Sequence, residues 1–181
     1  MDWLTKIDWL LLLQVVLGAG VGSGIFSWWK DKQTRGREAT YLALRIAVAL
    51  ESFEAACFER FSDIGLFDSS GGNLGGTWTK VPELERYPED PDGWRSLDFK
   101  LADRALSFPG MISNSQGMIN FTLDVASPIE ASENCETECA ELGMNAKGLA
   151  TEIRKRYRLD IPDSAAAVHF QSHLAKIKKR D

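Results

Sequence analysis

The 181-residue chain has little of what most catalytic and metal sites are built from: two histidines and three cysteines. Thiols at Cys57, Cys135 and Cys139 have the wrong parity for a fully disulfide-bonded secreted domain and fit a reducing compartment. No Gly-x-Ser-x-Gly elbow, His-Glu-x-x-His pair or Cys–His nucleophile arrangement occurs. The stretch GGNLGGTWTK lacks the Gly-Lys-Ser/Thr of a phosphate-binding loop and opens no periodic helix. A net charge of −5 gives no bulk attraction for nucleic acid. These absences leave no catalytic residue, no metal ligand and no cofactor assigned from sequence.

The absence with the largest consequence is that of charge between Trp9 and Trp29, which reads WLLLLQVVLGAGVGSGIFSWW. As a helix this run is about 31 Å long, matching a hydrocarbon core of ~30 Å. Trp3 and Trp9 precede it and Trp28 and Trp29 close it, where interfacial aromatic belts belong. A cleaved signal peptide fits poorly, because Asp2 and Asp8 oppose Lys6 and bulky residues end the run. A buried core helix is usually shorter. Residues 1–30 therefore read as a single transmembrane anchor. Lys30, Lys32, Arg35 and Arg37 follow it, so the basic-residue rule puts the N-terminus outside and the C-terminal domain in the cytoplasm. Gly18 with Gly22 and Gly20 with Gly24 form two Gly-x-x-x-Gly pairs, a shallow face for helix packing. The expected partners are the bilayer, together with a second copy through the anchor or an unidentified protein.

Residues 31–181 have the composition of a folded domain, and ~150 residues can bury close to 70% of their unfolded surface. Periodicity predicts all-α structure: an anchor followed by a cytosolic helical bundle with one long Gly/Pro-rich loop over 68–93. From Thr34 to Ile64, the residues Leu42, Ile46, Ala49, Phe53, Cys57, Phe61 and Ile64 recur at steps of three and four, with Gly65 as the expected stop. The anchor can run directly into this helix, since Gly36 is the only breaker between them. In the loop, Pro82, Pro88 and Pro91 exclude long regular structure, and Trp78 is the residue expected to pin it. A second stripe, Trp94 to Phe108, is expected to end at Pro109. Residues 111–125 satisfy both a strand and a helix pattern, and the lack of a partner strand favours helix. Cys135, Cys139, Leu142, Ala146, Leu149 and Ile153 form a heptad-like stripe. After Pro162 a final helix carries Ala167, Phe170, Leu174 and Ile177.

Two constellations remain. Cys135-x3-Cys139 and His169-x3-His173 each present two groups on one helix face, and together they make a zinc-type set. A hairpin closing near residue 161 would put His173 opposite Leu149, roughly 15 Å from Cys139, so the cysteines read as core residues and the histidines as surface. Arg45, Glu51 and Glu54, inside an apolar helix, are candidates for a buried ion-pair cluster, whereas Glu133, Glu136, Glu138 and Glu141 read as a solvated face. The expected function is a non-enzymatic interaction, scaffold or regulatory protein at the inner face of a bacterial-type membrane. The alternative is a membrane-tethered enzyme whose site is assembled from dispersed residues. A pocket near the anchor holding a histidine beside carboxylates favours the enzyme. A filled core with exposed apolar patches favours the interaction protein.

Overall fold

The structure, a computed structural model, describes residues 21–163 and 166–177. Every described element is helical: α1 (Val21–Ser69), α2 (Pro91–Ser96), α3 (Phe99–Val125), α4 (Pro128–Tyr157) and α5 (Ala166–Ile177). Among the described residues no helix is long and apolar enough to cross a membrane. Residues 9–20 of the uncharged run lie outside the described residues, while 21–29 form the start of α1.

α1 is 49 residues long, about 73 Å, and passes unbroken through both Gly36 and Gly65. Gly65 does not end it. A mid-helix glycine costs only about 1 kcal/mol relative to alanine, and the flanking Ile64 and Phe61 are packed into the bundle. The stop lies at residues 69–72, in a Schellman motif. There Gly71 takes φ +63°, its N–H donates to the Asp68 carbonyl, and the Gly72 N–H donates to Phe67 (2.8 Å).

α4 lies antiparallel against α1: Glu51 meets Arg154, Glu54 meets Lys147, and Gly65 lies beside Glu136. α3 returns antiparallel to α4, with Asp98 near Arg156, Arg104 near Glu152 and Thr122 near Asn134. The predicted stripes of α1 and α4 are the core. Leu42, Ile46, Phe53, Cys57 and Ile64 are buried against Cys135, Cys139, Leu142, Ala146, Leu149 and Ile153. α3 adds Leu101, Ala105, Phe108 and Ile119, and Phe108 meets Phe53 edge-to-face at 5.5 Å. α4 begins with Ser127 as its N-cap, whose Oγ accepts from the Glu130 N–H and donates to the Glu130 carboxylate.

Two further boundaries differ from the sequence reading. The Trp94–Phe108 stripe is divided, since α2 ends at Ser96 and Asp98 caps α3 by accepting from Lys100 and Leu101 N–H groups. Pro109 does not stop α3, which continues to Val125. A mid-helix proline costs about 3 kcal/mol, but buried residues on both sides of it, Ala105 and Phe108 then Ser115 and Ile119, hold one helix face against the core. Residues 111–125 are helix, as the lack of a partner strand implied, and the two sides of that helix differ in burial. Ile112, Ser115 and Ile119 turn inward, while Met111, Met118 and Val125 turn outward.

The segment between α1 and α2 is irregular over 70–90 and is strapped down. Gly75, at φ +73°, passes so close to α1 that a Cβ there would lie 2.1 Å from the Asp63 carbonyl oxygen. Trp78 donates from its ring nitrogen to Asp63 (3.2 Å) and from its backbone to Ser132 Oγ (3.1 Å), and the Arg60 guanidinium stacks on its ring. Gln116 of α3 accepts from Val81 N–H and donates to Thr79 O, both at 3.0 Å, as a neighbouring strand would. Val81 is buried by these contacts.

Candidate functional site

The residues assigned to membrane contact and helix packing fall at one end of the chain. Trp3, Trp9, Gly18 and Gly20 lie outside the described residues. Gly22, Gly24, Trp28, Trp29 and Lys30 lie in the first three turns of α1. Lys32, Arg35 and Arg37 follow on the same helix, exposed, before α1 enters the body at Ala39 and Leu42. One continuous helix thus joins the uncharged run to the core. At that junction the end of α4 packs beside α3: the Tyr157 hydroxyl accepts the Asp98 N–H (2.7 Å), and Arg156 binds the Asp98 carboxylate (3.2 Å). The Arg156 hydrogen bond, reinforced by the capped N–H groups, holds the Asp98 carboxyl below the ordinary carboxylate range.

The buried polar cluster forms along the α1–α4 seam. Arg154 makes a two-pronged pair with Glu51 (2.6 and 2.7 Å) and donates to the Asp160 carbonyl. Lys147 lies 3.9 Å from the Glu54 carboxylate and donates to the Pro162 carbonyl. Arg45 is exposed and takes no place in the seam, a correction to the sequence reading. Every member of the seam that contacts Arg154 or Lys147 ties α1 to α4 or fixes the 158–163 turn. These contacts form a structural clamp, and Glu51, Glu54 and Lys147 also border an open cleft with Val48, Phe58 and Pro162.

The cysteines are core residues, as their heptad stripe implied, and His169 is exposed; what differs from the expected layout is the register of α5. Cys135, Cys139 and Cys57 are fully buried and reduced, with Cys139 hydrogen-bonded to both others. The Cys139 bond and burial push the Cys135 thiol far up. At Cys139 the bond from Cys135 pulls downward, but the bond to Cys57 and burial outweigh it. α5 does not follow the expected register: Phe170 meets Gly143, and His173 lies 3.7 Å from Glu136, about a turn from Cys139. His173 packs edge-on to Phe61 (5.0 Å) and His169 against Phe58 (5.5 Å), on the side of α4 that carries Glu136. Glu136 is therefore half-buried and not part of a wholly solvated face. Burial first, then Asp68 and Glu133, push its carboxyl up to about 7. Among the described residues, no group of three or more His, Cys, Asp or Glu side chains could hold a metal ion.

The feature that sequence reading missed is the outward face of α3. From Ala105 to Leu123 the chain has no charged residue. Met118 (57%), Phe121 (61%) and Val125 (64%) are exposed there, with Leu106 and Met111. Met111, Met118 and Val125 repeat every seven residues along one line, and Gly110 and Gly117 beside them open onto free space. The signal was present as a long uncharged stretch, but both of its helical faces satisfy the periodicity and only packing chooses between them.

No protein-family model matches this sequence, and no curated protein and no solved structure matches it significantly.

Proposed function

We propose that this chain is a single-pass, membrane-tethered interaction protein without a catalytic centre, anchored through Trp9–Trp29 and presenting its helical body to the cytoplasm. The observation that carries the interaction reading is the outward face of α3. Exposed apolar faces with flexible methionines and glycine notches suit close packing against another helix or apolar surface. The anchor reading is supported by the uncharged 21-residue run and by the unbroken helix that links its second half to the core. Tethering raises the effective concentration of such a face toward membrane-bound partners without new contacts. The enzyme alternative called for a histidine beside carboxylates in a pocket near the anchor. His173 has a carboxylate neighbour, but at the far end of the bundle and packed against Phe61.

The test is photo-crosslinking in intact membranes from position 118 or 121, with exposed Glu141 as the control position. A discrete protein adduct from 118 and 121, absent at 141, with the 118 adduct lost when Phe121→Asp is added, supports the reading. Equal labelling at all three positions overturns it.

A further inference from the structure

We propose that the end of the bundle from which α1 leaves is a docking face for anionic phospholipid headgroups. It is formed by Arg35 and Arg37 of α1, Arg95 of α2, and Arg156 and Arg158 at the end of α4. The proposal rests on the anchor reading and deepens it by naming the lipid class that the body contacts.

Folding sorts charge along this molecule. Over 30–45, α1 carries Lys30, Lys32, Arg35, Arg37 and Arg45 against Asp31 and Glu38. From Lys147 to Arg158 the chain has five basic residues and one acidic residue, Glu152. Between 121 and 146 the balance reverses, with Asp124, Glu130, Glu133, Glu136, Glu138 and Glu141 and no basic residue. Because α1 and α4 are antiparallel, the two basic stretches share one end. The acidic stretch of α4 lies at the other, near Asp68 of α1. A chain of net charge −5 thereby gathers its basic residues at one end, where Glu89, Asp90 and Asp92 around α2 offset part of the charge.

That end is shaped. Two open clefts flank α1 at Gly36: Arg35 and Arg95 border one, Arg156 and Arg158 the other. A Cβ at Gly36 would meet nothing within 4 Å, so the helix between the clefts presents no bulk. Asp92 pairs with Arg95 (3.6 Å), Glu38 borders the same cleft and Asp98 neutralises part of Arg156, so the excess lies chiefly with Arg35, Arg37 and Arg158. Guanidinium groups suit phosphate through paired N–H donors. Distance fits as well. Trp29 to Gly36 is about 10 Å along the helix, and the headgroup layer on one side of a bilayer is roughly 5–8 Å thick. The arginines therefore stand within a Debye length, ~8 Å, of the phosphates. Nucleic acid would need the same space at the end from which α1 runs toward the bilayer.

The experiment uses the full chain in phosphatidylcholine nanodiscs with or without phosphatidylglycerol. An environment-sensitive fluorophore is placed at Phe99→Cys, exposed at the basic end, or at Ser69→Cys, exposed at the acidic end. The native thiols are buried and remain unlabelled. Quenching by headgroup-labelled lipid is expected at position 99 only, and only with phosphatidylglycerol. It should fall about fivefold per charge removed in R95E and R158E, and on raising salt from about 0.1 to about 1 M. Quenching that is indifferent to phosphatidylglycerol and to salt overturns the docking face. Anchoring is read separately, as alkali-resistant retention in pure phosphatidylcholine. A chain that is not retained there, yet floats with phosphatidylglycerol vesicles through the same arginines, overturns the anchor and keeps the docking face. A chain that binds neither overturns both.

Discussion

At position 136 a glutamate is half-buried beside His173 and within the field of Asp68 and Glu133, and its carboxyl is pushed up to about 7 from an ordinary 4.5. A carboxyl with a raised folded-state pKa holds its proton more tightly in the native chain than in the unfolded one. Its contribution is complete below about pH 4.5, drains away as pH rises through about 7, and is absent above that. The shift corresponds to stability on the order of 2–3 kcal/mol. Glu136→Gln should therefore flatten the loss of stability that urea unfolding finds between about pH 5 and about pH 8, and should leave the variant the more stable protein at the alkaline end. Parallel curves for both proteins would show that the carboxyl is already ionised at pH 5. None of this was legible in the sequence, where Glu136 is one of four glutamates in a row of charges. Only the register of α5 distinguishes it. Glu51 and Glu54 were legible, because two acids three apart in an otherwise apolar helix require partners. Their partners were not, being 103 residues away for Arg154 and fixed only by how α1 and α4 align.

Among the elements, α5 depends on a single seat. Its Phe170 ring fills the notch at Gly143, where an added Cβ would lie 2.5 Å from the ring, with Phe58 and Phe61 closing the cluster at 5.8 and 5.3 Å. Gly143→Ala forces the ring out, so a loss of about 1–3 kcal/mol is expected, of the size measured for overpacked cores. Limited proteolysis should then cut α5 before any other helix, and Phe170→Leu should restore part of the loss. Unchanged stability with an unchanged cleavage order would mean that α5 is held by other contacts. The helices themselves were readable wherever one face alone is apolar: six residues named from α4 by spacing are all buried. Reading failed where tertiary contact outweighs local preference. Pro109 and Gly65 are breakers by propensity, yet each sits between residues already committed to the core. The loop was legible as irregular and as pinned by Trp78. That Gln116 would replace a neighbouring strand along it was not, since a lone glutamine has no pattern.

For the molecule as a whole, the proposed anchor would take its orientation from where the basic residues lie, and the fold adds to that charge. The sequence supplies Lys30, Lys32, Arg35 and Arg37 next to the uncharged run; the bundle adds Arg95, Arg156 and Arg158 at the same end. Loop charge within about 15–20 residues of a span sets orientation during insertion, so under the proposed anchor the four residues on α1 would determine it before α4 has folded. The three added by folding act afterwards on the finished protein. A fluorescent reporter fused after Asp181 should be active in the cytoplasm, and alkaline phosphatase at the same position inactive. Replacing Lys30, Lys32, Arg35 and Arg37 with Gln while adding basic residues before Trp3 should invert both readings. Charge reversal at Arg95 and Arg158 should leave them as they were. An exported, active phosphatase on the unmodified chain would overturn the orientation and, with it, the argument that three reduced thiols reflect a reducing compartment. Inversion by the Arg95 and Arg158 changes alone would instead place folding ahead of insertion.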